Sequence, residues 1–146
     1  MRIAIASDHG GFAFKQELEK YLRELGYEVE NFGCHDEESC DYPDFGIPAA
    51  KSVVRKKNEK AILVCTNGIG MCMLANKIEG IRAALVYSKK TAAKTRQHHN
   101  SNILCLGGKE FPFDELKSFV KIWLETDFEG GRHERRVNKI NALDDL

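Results

Sequence analysis

Cys65 closes the apolar run Ala61-Ile62-Leu63-Val64 and stands directly before Thr66-Asn67-Gly68-Ile69-Gly70, a turn that opens a second apolar stretch ending near Lys77. A thiol at a strand-to-helix turn lies where backbone N–H groups and the helix dipole favour negative charge, which makes it the best candidate for a reactive group in the chain. The same N–H groups suit a phosphate, a carboxylate or a developing oxyanion, although a tight turn that merely needs glycine would look alike. Gly68-Ile69-Gly70 is followed by Met71, Cys72 and Met73, so the spacing is neither a dinucleotide fingerprint nor a Walker loop.

Three other groupings carry chemical potential. Asp8-His9, in the turn Ser7-Asp8-His9-Gly10-Gly11, could orient a hydroxyl-rich ligand by donor and acceptor contacts, or Asp8 could cap the helix that follows. Arg96-Gln97-His98-His99-Asn100 sets two histidines among amides, either as cations against a helix dipole or as a proton-transfer site. Adjacent histidines on a helix point in different directions, which argues against a shared metal. In Gly130-Gly131-Arg132-His133-Glu134-Arg135-Arg136 the arginines 132 and 136 are i,i+4 neighbours, with Val137 and Ile140 about a quarter-turn round. Such a pair can clamp a phosphate while the apolar strip packs on protein, or it can be a solvated basic face.

The elements that must position these residues alternate. Strands are expected at 2–7, 27–32, 60–65, 82–87 and 102–106, and helices near 12–25, 44–57, 68–77 and 89–98, with a further helix led by Pro112. Phe14, Leu18, Leu22 and Leu25 form one stripe with Gly26 as the stop, and Phe113, Leu116, Val120 and Trp123 form another. Strict alternation with apolar central strands predicts an α/β, Rossmann-like, doubly wound sheet of five parallel strands. The common order 2-1-3-4-5 would set the turns after strands one and three on either side of one crevice at the carboxyl edge. A last helical stretch, 132 to about 144, is an appendage.

Composition bounds the rest. The 146 residues are expected to form a single domain able to bury a full core. Lys plus Arg and Asp plus Glu number 22 each, so no global field recruits nucleic acid or an anionic membrane, and any anion must be held locally. No apolar stretch approaches 18 residues, and the N-terminal apolar run is cut short by Asp8, which reads as a cytoplasmic chain. Five cysteines without framework spacing predict reduced thiols, with Cys72 and Cys105 in the core. Cys34-His35 with Cys40 fits no familiar zinc spacing, so no metal is expected there.

Together these segments closely resemble the type B ribose-5-phosphate isomerases and the related galactose-6-phosphate isomerase subunits, over nearly the whole chain. The markers are Ser7-Asp8-His9-Gly10-Gly11-Phe12, Asp41-Tyr42-Pro43, Cys65 with Asn67-Gly68-Ile69-Gly70, Ala75-Asn76-Lys77, Gly80-Ile81-Arg82-Ala83, Arg96-Gln97-His98, and Glu129-Gly130-Gly131-Arg132-His133 with Arg136-Val137. The resemblance implies interconversion of an aldose phosphate and a ketose phosphate without metal or other cofactor, in homodimers or homotetramers whose sites draw on two subunits. It implies Cys65 as the base and His98 as the ring-opening residue. By the same likeness Asp8, His9, Tyr42, Thr66, Asn67, Gly68, Ile69, Gly70, His99 and Lys109 bind substrate, while Arg132 and Arg136 take its phosphate. Some relatives use a glutamate just after the glycine turn; Met71 stands there and cannot act as a base.

Three positions depart from the family pattern. Asn67 replaces a Ser or Thr, turning a proton-shuttling hydroxyl into a donor amide; His99 replaces an asparagine; Lys109 replaces an arginine and loses its fork. These bear on which sugar is preferred, ribose 5-phosphate or a hexose 6-phosphate of the allose or galactose series. A cysteine phosphatase would need arginine six residues beyond Cys65, where Met71 stands. A non-catalytic phosphosugar-binding domain would leave Cys65 and His98 idle.

Overall fold

The computed structural model describes residues 1–146 and builds five parallel strands into one sheet. In chain order the elements are β1 (Arg2–Ser7), α1 (Phe12–Glu24), β2 (Glu28–Asn31), α2 (Tyr42–Val54), β3 (Lys60–Cys65), α3 (Ile69–Asn76), β4 (Ala83–Leu85), α4 (Lys89–His99), β5 (Ile103–Gly107), α5 (Phe113–Glu125) and α6 (Arg132–Asn141), with a 3₁₀ turn at Ala142–Asp145. No helix is long and apolar enough to cross a membrane.

The strand order is 2-1-3-5-4, which corrects the expected 2-1-3-4-5. Burial explains the exchange. All five residues of β5 are enclosed, as a strand covered on both faces must be, whereas the three residues of β4 are only partly buried and make an edge. The connection through α3 therefore passes over a gap, and the chain returns through α4 to fill it. Connections stepping toward β4 carry α2 and α3 on one face; those stepping back carry α1 and α4, with α5 beside them, on the other. This is the sorting that right-handed crossovers impose. The reversal of direction between β1 and β3 survives the correction.

The two faces differ in grain. Ile3, Ile5, Ile62, Val64, Leu104 and Leu106 meet Phe14, Leu18, Leu22, Leu116, Phe119 and Trp123 from α1 and α5. On the other face Ala4, Ala6 and Ala61 meet Ala49, Ala50 and Ala75, so α2 and α3 lie close to the sheet. Small side chains there set how near α3, and the turn before it, approach β1 and β3.

Several local expectations shift. α2 begins at Tyr42 rather than at 44, because Pro43 pre-sets the first helical turn. Pro112 precedes α5 rather than opening it, and Phe113 stays half-exposed while Phe119 and Leu124 take places in the core. The stretch 132–144 divides into α6 and the 3₁₀ turn. Cys105 is fully buried, but Cys72 is only partly so.

Candidate active site

The carboxyl ends of β1, β3 and β5 converge on Cys65. Gly108 donates its N–H to the Cys65 carbonyl at 2.8 Å and Lys109 to the Thr66 carbonyl at 3.2 Å, so the turn after β5 is tied to the turn after β3. Asp8 N–H reaches the Val64 carbonyl at 3.3 Å from the other side. Gly11 lies so close to β3 that a Cβ there would sit 2.5 Å from the Val64 carbonyl oxygen, and a Cβ on Gly10 would collide with the Thr66 hydroxyl. The two turns expected to face each other are in contact.

Within this floor the Cys65 side chain is buried, and the N–H of Gly68 donates to its Sγ at 3.2 Å. Gly68 can do so because it takes φ 83°, a left-handed conformation that turns its N–H inward as α3 starts. Asn67 accepts the Ile69 N–H on Oδ1 at 3.1 Å, which leaves its NH₂ free to donate from an exposed residue of the same turn. The Tyr42 ring lies where a Cβ on Gly70 would be, 2.6 Å from Cζ, so Tyr42 backs the turn from α2. Lys109, tied to Thr66 through its main chain, is exposed. A cavity of about 320 Å³ opens beside Asn67 and Ile69, between Leu85, Tyr87 and Glu110.

Asp8 and His9 are both engaged. The Asp8 carboxylate accepts the Gly11 N–H at 3.0 Å and so closes the turn that precedes α1; the N-cap of α1 is Gly11, which has no side-chain cap, so Asp8 does not cap the helix. The Cys40 N–H donates to His9 Nδ1 at 3.2 Å, which leaves Nε2 as the nitrogen that can donate from a neutral ring. Met71 is fully buried beneath the turn.

His98, His99, Arg132 and Arg136 are elsewhere. α4 runs back across the sheet, and Asn102, three residues beyond its end, pairs its carbonyl with Ala61 N–H at the start of β3. The five steps from Lys60 to Cys65 span roughly 16 Å at ~3.3 Å each. Within one chain the histidines and arginines thus lie at the amino edge, a strand's length from the thiol. The largest cavity, about 420 Å³, is at this edge too, lined by Arg82, His99, Ile140 and Asp144 among others.

The amino-edge group has its own scaffold. Arg96 is buried and donates through Nη1 to the Ser101 carbonyl at 2.6 Å and Asn100 Oδ1 at 2.9 Å, and through Nε to the Thr126 carbonyl at 3.2 Å. It fastens the end of α4 to the strand and loop behind it. Glu129 N–H donates to the Gln97 carbonyl at 3.0 Å, bringing the loop before α6 against the same turn. Val137 is buried against the protein as the apolar-strip reading expected, while Ile140 stays exposed. Arg132 and Arg136 are exposed and make no ion pair with a carboxylate of this chain.

Residue-type reasoning did not single out Glu129 and His133. The His133 ring stacks on His98 with centroids 4.1 Å apart and planes 7° from parallel, and Glu129 Oε1 lies 3.8 Å from His98 Nε2 and 3.7 Å from His133 Nε2. Burial first, then the neighbouring His98 and Arg132, hold the His133 imidazole below its usual range. These are metal-ligand types, and their donor atoms fall within 4.8 Å of one another. Parallel stacked rings present their nitrogens side by side rather than converging on a point about 2.0 Å from each, the distance a zinc–imidazole bond requires. The i,i+4 spacing of Glu129 and His133 across two glycines was the available signal.

Residues 3–140 match the family model described as Ribose/Galactose Isomerase. Ribose-5-phosphate isomerase B of Escherichia coli is 36% identical, over 98% of this chain and 96% of its own. The structure of Clostridium thermocellum ribose-5-phosphate isomerase B superposes with a TM-score of 0.98 at 42% identity, covering 99% of this chain and 98% of that one. The Mycoplasma genitalium ribose-5-phosphate isomerase B, solved with bound ribulose 5-phosphate, gives a TM-score of 0.95 at 40% identity, over 99% and 96% of the two chains.

Proposed function

The chain belongs to the ribose/galactose isomerase family, as an aldose–ketose isomerase of the ribose-5-phosphate isomerase B type, and from that premise we propose how its residues interconvert ribose 5-phosphate and ribulose 5-phosphate. Cys65 is the base, His98 opens the furanose ring, and each site is completed by two subunits.

The observation that carries the chemistry is Cys65 Sγ accepting the Gly68 N–H at the mouth of the Thr66–Gly70 turn. Ring opening moves a proton from the C1 hydroxyl to the ring oxygen as the C1–O bond breaks, a transfer suited to the imidazole of His98. The Cys65 thiolate then takes the proton from C2. The C–H electron pair forms the C1–C2 double bond, and negative charge gathers on the former carbonyl oxygen, where the N–H groups of the turn and the Asn67 amide can donate to it. Returning the proton to C1, with a proton leaving the C2 oxygen and another reaching the C1 oxygen, gives the ketose. Electrons move only within the sugar, so no metal or redox group is required.

Shared sites follow from the separation of the two groups. A sugar phosphate cannot bridge Cys65 at the carboxyl edge and His98 at the amino edge of one sheet roughly 16 Å deep. A neighbouring copy can supply one group to the other, as an isologous dimer does twice. In that arrangement Asp8, His9, Tyr42 and the turn hold the reacting end, while Arg132 and Arg136, free of carboxylates, hold the phosphate bidentately.

The test is a kinetic panel after chelator treatment. Ribose 5-phosphate is expected to exceed allose 6-phosphate and galactose 6-phosphate by about tenfold or more in kcat/KM, the discrimination that a fitted sugar pocket can supply. A hexose 6-phosphate turned over faster would replace ribose as the substrate, and loss of activity to the chelator would overturn the metal-free route.

A further inference from the structure

Neither ring nitrogen of His98 hydrogen-bonds within the chain, yet the ring is held on two sides. His133 covers one face in a near-parallel stack, and its side chain is 9% exposed with Nε2 lacking any hydrogen-bond partner. Glu129, 48% exposed, places one carboxylate oxygen 3.7 to 3.8 Å from the Nε2 atoms of both rings. That is about an ångström beyond a hydrogen bond, a gap that a small rotation of a mobile carboxylate side chain closes. Glu129 N–H is tied to the Gln97 carbonyl, which holds the loop against the last turn of α4, and His133 N–H donates to the Gly130 carbonyl at 3.1 Å, which starts α6 from that anchored loop.

Resting on the reading of His98 as the ring-opening residue, we propose that Glu129 and His133 are positioning residues for that step. The Glu129 carboxylate holds His98 through Nε2 and leaves Nδ1 to the sugar, while the His133 ring fixes the plane in which His98 works. A carboxylate on one imidazole nitrogen sets the tautomer and the basicity of the other, a division of labour that serves proton transfer generally. The buried, unpartnered His133 Nε2 gives the same carboxylate oxygen a second contact at the edge of the stacked pair.

The experiment uses an asymmetry in the substrates. Ribose 5-phosphate must be opened from a ring, whereas ribulose 5-phosphate is acyclic because its C5 oxygen carries the phosphate. Solvent exchange of the C1 proton of ribulose 5-phosphate therefore reports Cys65 without ring opening. E129Q and H133A are expected to lower turnover of ribose 5-phosphate by about 10- to 100-fold, below the ~10²–10⁴ that general acid–base catalysis itself contributes, while leaving the exchange within about twofold. H133F, which keeps a flat ring, is expected to recover most of what H133A loses. Equal loss of turnover and exchange, no loss in either, or H133F behaving like H133A would overturn the proposal. H98A separates the two readings. If it lowers exchange and turnover alike, the role of His98 falls; if it splits them and E129Q and H133A do not, only the positioning role falls.

Discussion

At the carboxyl edge the proposed site is held by main chain: Cys65 is buried, Gly68 donates to its sulfur, and the turns after β1 and β5 are bonded to the turn around it. At the amino edge it is held by side chains that project from helix ends, His98 and His99 from α4 and Arg132 and Arg136 from α6. The first region tolerates almost no added atom. The second is mostly exposed and rests on a few anchors, chiefly Arg96 and the Glu129 to Gln97 bond. A proton moved at carbon needs a fixed base and a fixed oxyanion cradle, which strands and glycines supply. Recognition of a phosphate and transfer between oxygens can use longer, adjustable side chains.

The contrast is broken most decisively by mixing subunits. C65A and H98A should each lose about 10²- to 10⁴-fold in kcat as single proteins, the usual worth of a general base or acid. Co-refolded in equal amounts, they should regain about a quarter of wild-type activity, since half of random C2 dimers are mixed and each mixed dimer has one intact site of two. No recovery would mean that one chain contains the whole site.

Next in size, Gly11→Ala tests the main-chain half. The methyl group would meet the Val64 carbonyl at 2.5 Å, so a loss of roughly 1–3 kcal/mol in denaturant unfolding is expected, with activity falling alongside. Stability unchanged from wild type would show that the floor can yield. Arg136→Ala tests the side-chain half: KM for ribose 5-phosphate should rise about tenfold or more, as loss of one charged hydrogen bond allows, with little change in unfolding. An unchanged KM removes Arg136 from the phosphate site.

The smallest effect is a pH dependence local to the amino edge. His133 is held below the ordinary imidazole value of 6.5 by burial, with the charges of His98, Arg132 and Arg136 adding to this and Glu129 opposing it. The unfolded chain therefore binds a proton that the folded chain resists, so stability is full above about pH 6.5 and declines as pH falls below it. Thermal unfolding at pH 7.5 and 5.5 should show the decline in the wild type and less of it in H133F. An equal decline in both would place the proton elsewhere.

The alternation of strands and helices, the apolar strands and the glycine turn were legible because each is a local pattern. The order of β4 and β5 was not, since neighbours in a sheet are chosen by burial on both faces, and Ala83–Leu85 differs from Ile103–Gly107 in exposure more than in residue type. Tyr42 entered α2 early because Pro43 suits a first turn, a signal masked by the polar run before it. The approach of Asp8-His9 to Cys65 followed from the reversal between β1 and β3. Glu129 and His133 escaped because neither type at that spacing demands a role until a third residue, His98, is brought against them through the end of another helix.

The inserted position of β5 also sets an order of assembly. β4 pairs with β5 alone, so Ala83–Leu85 joins the sheet only through Ile103–Gly107, which itself docks on β3. The same docking delivers the N–H groups of Gly108 and Lys109 to the Cys65 turn. During synthesis, then, the thiol emerges some forty residues before its turn can be fastened, and the docking that joins β4 and β5 to the rest of the sheet is also the one that fastens the cradle.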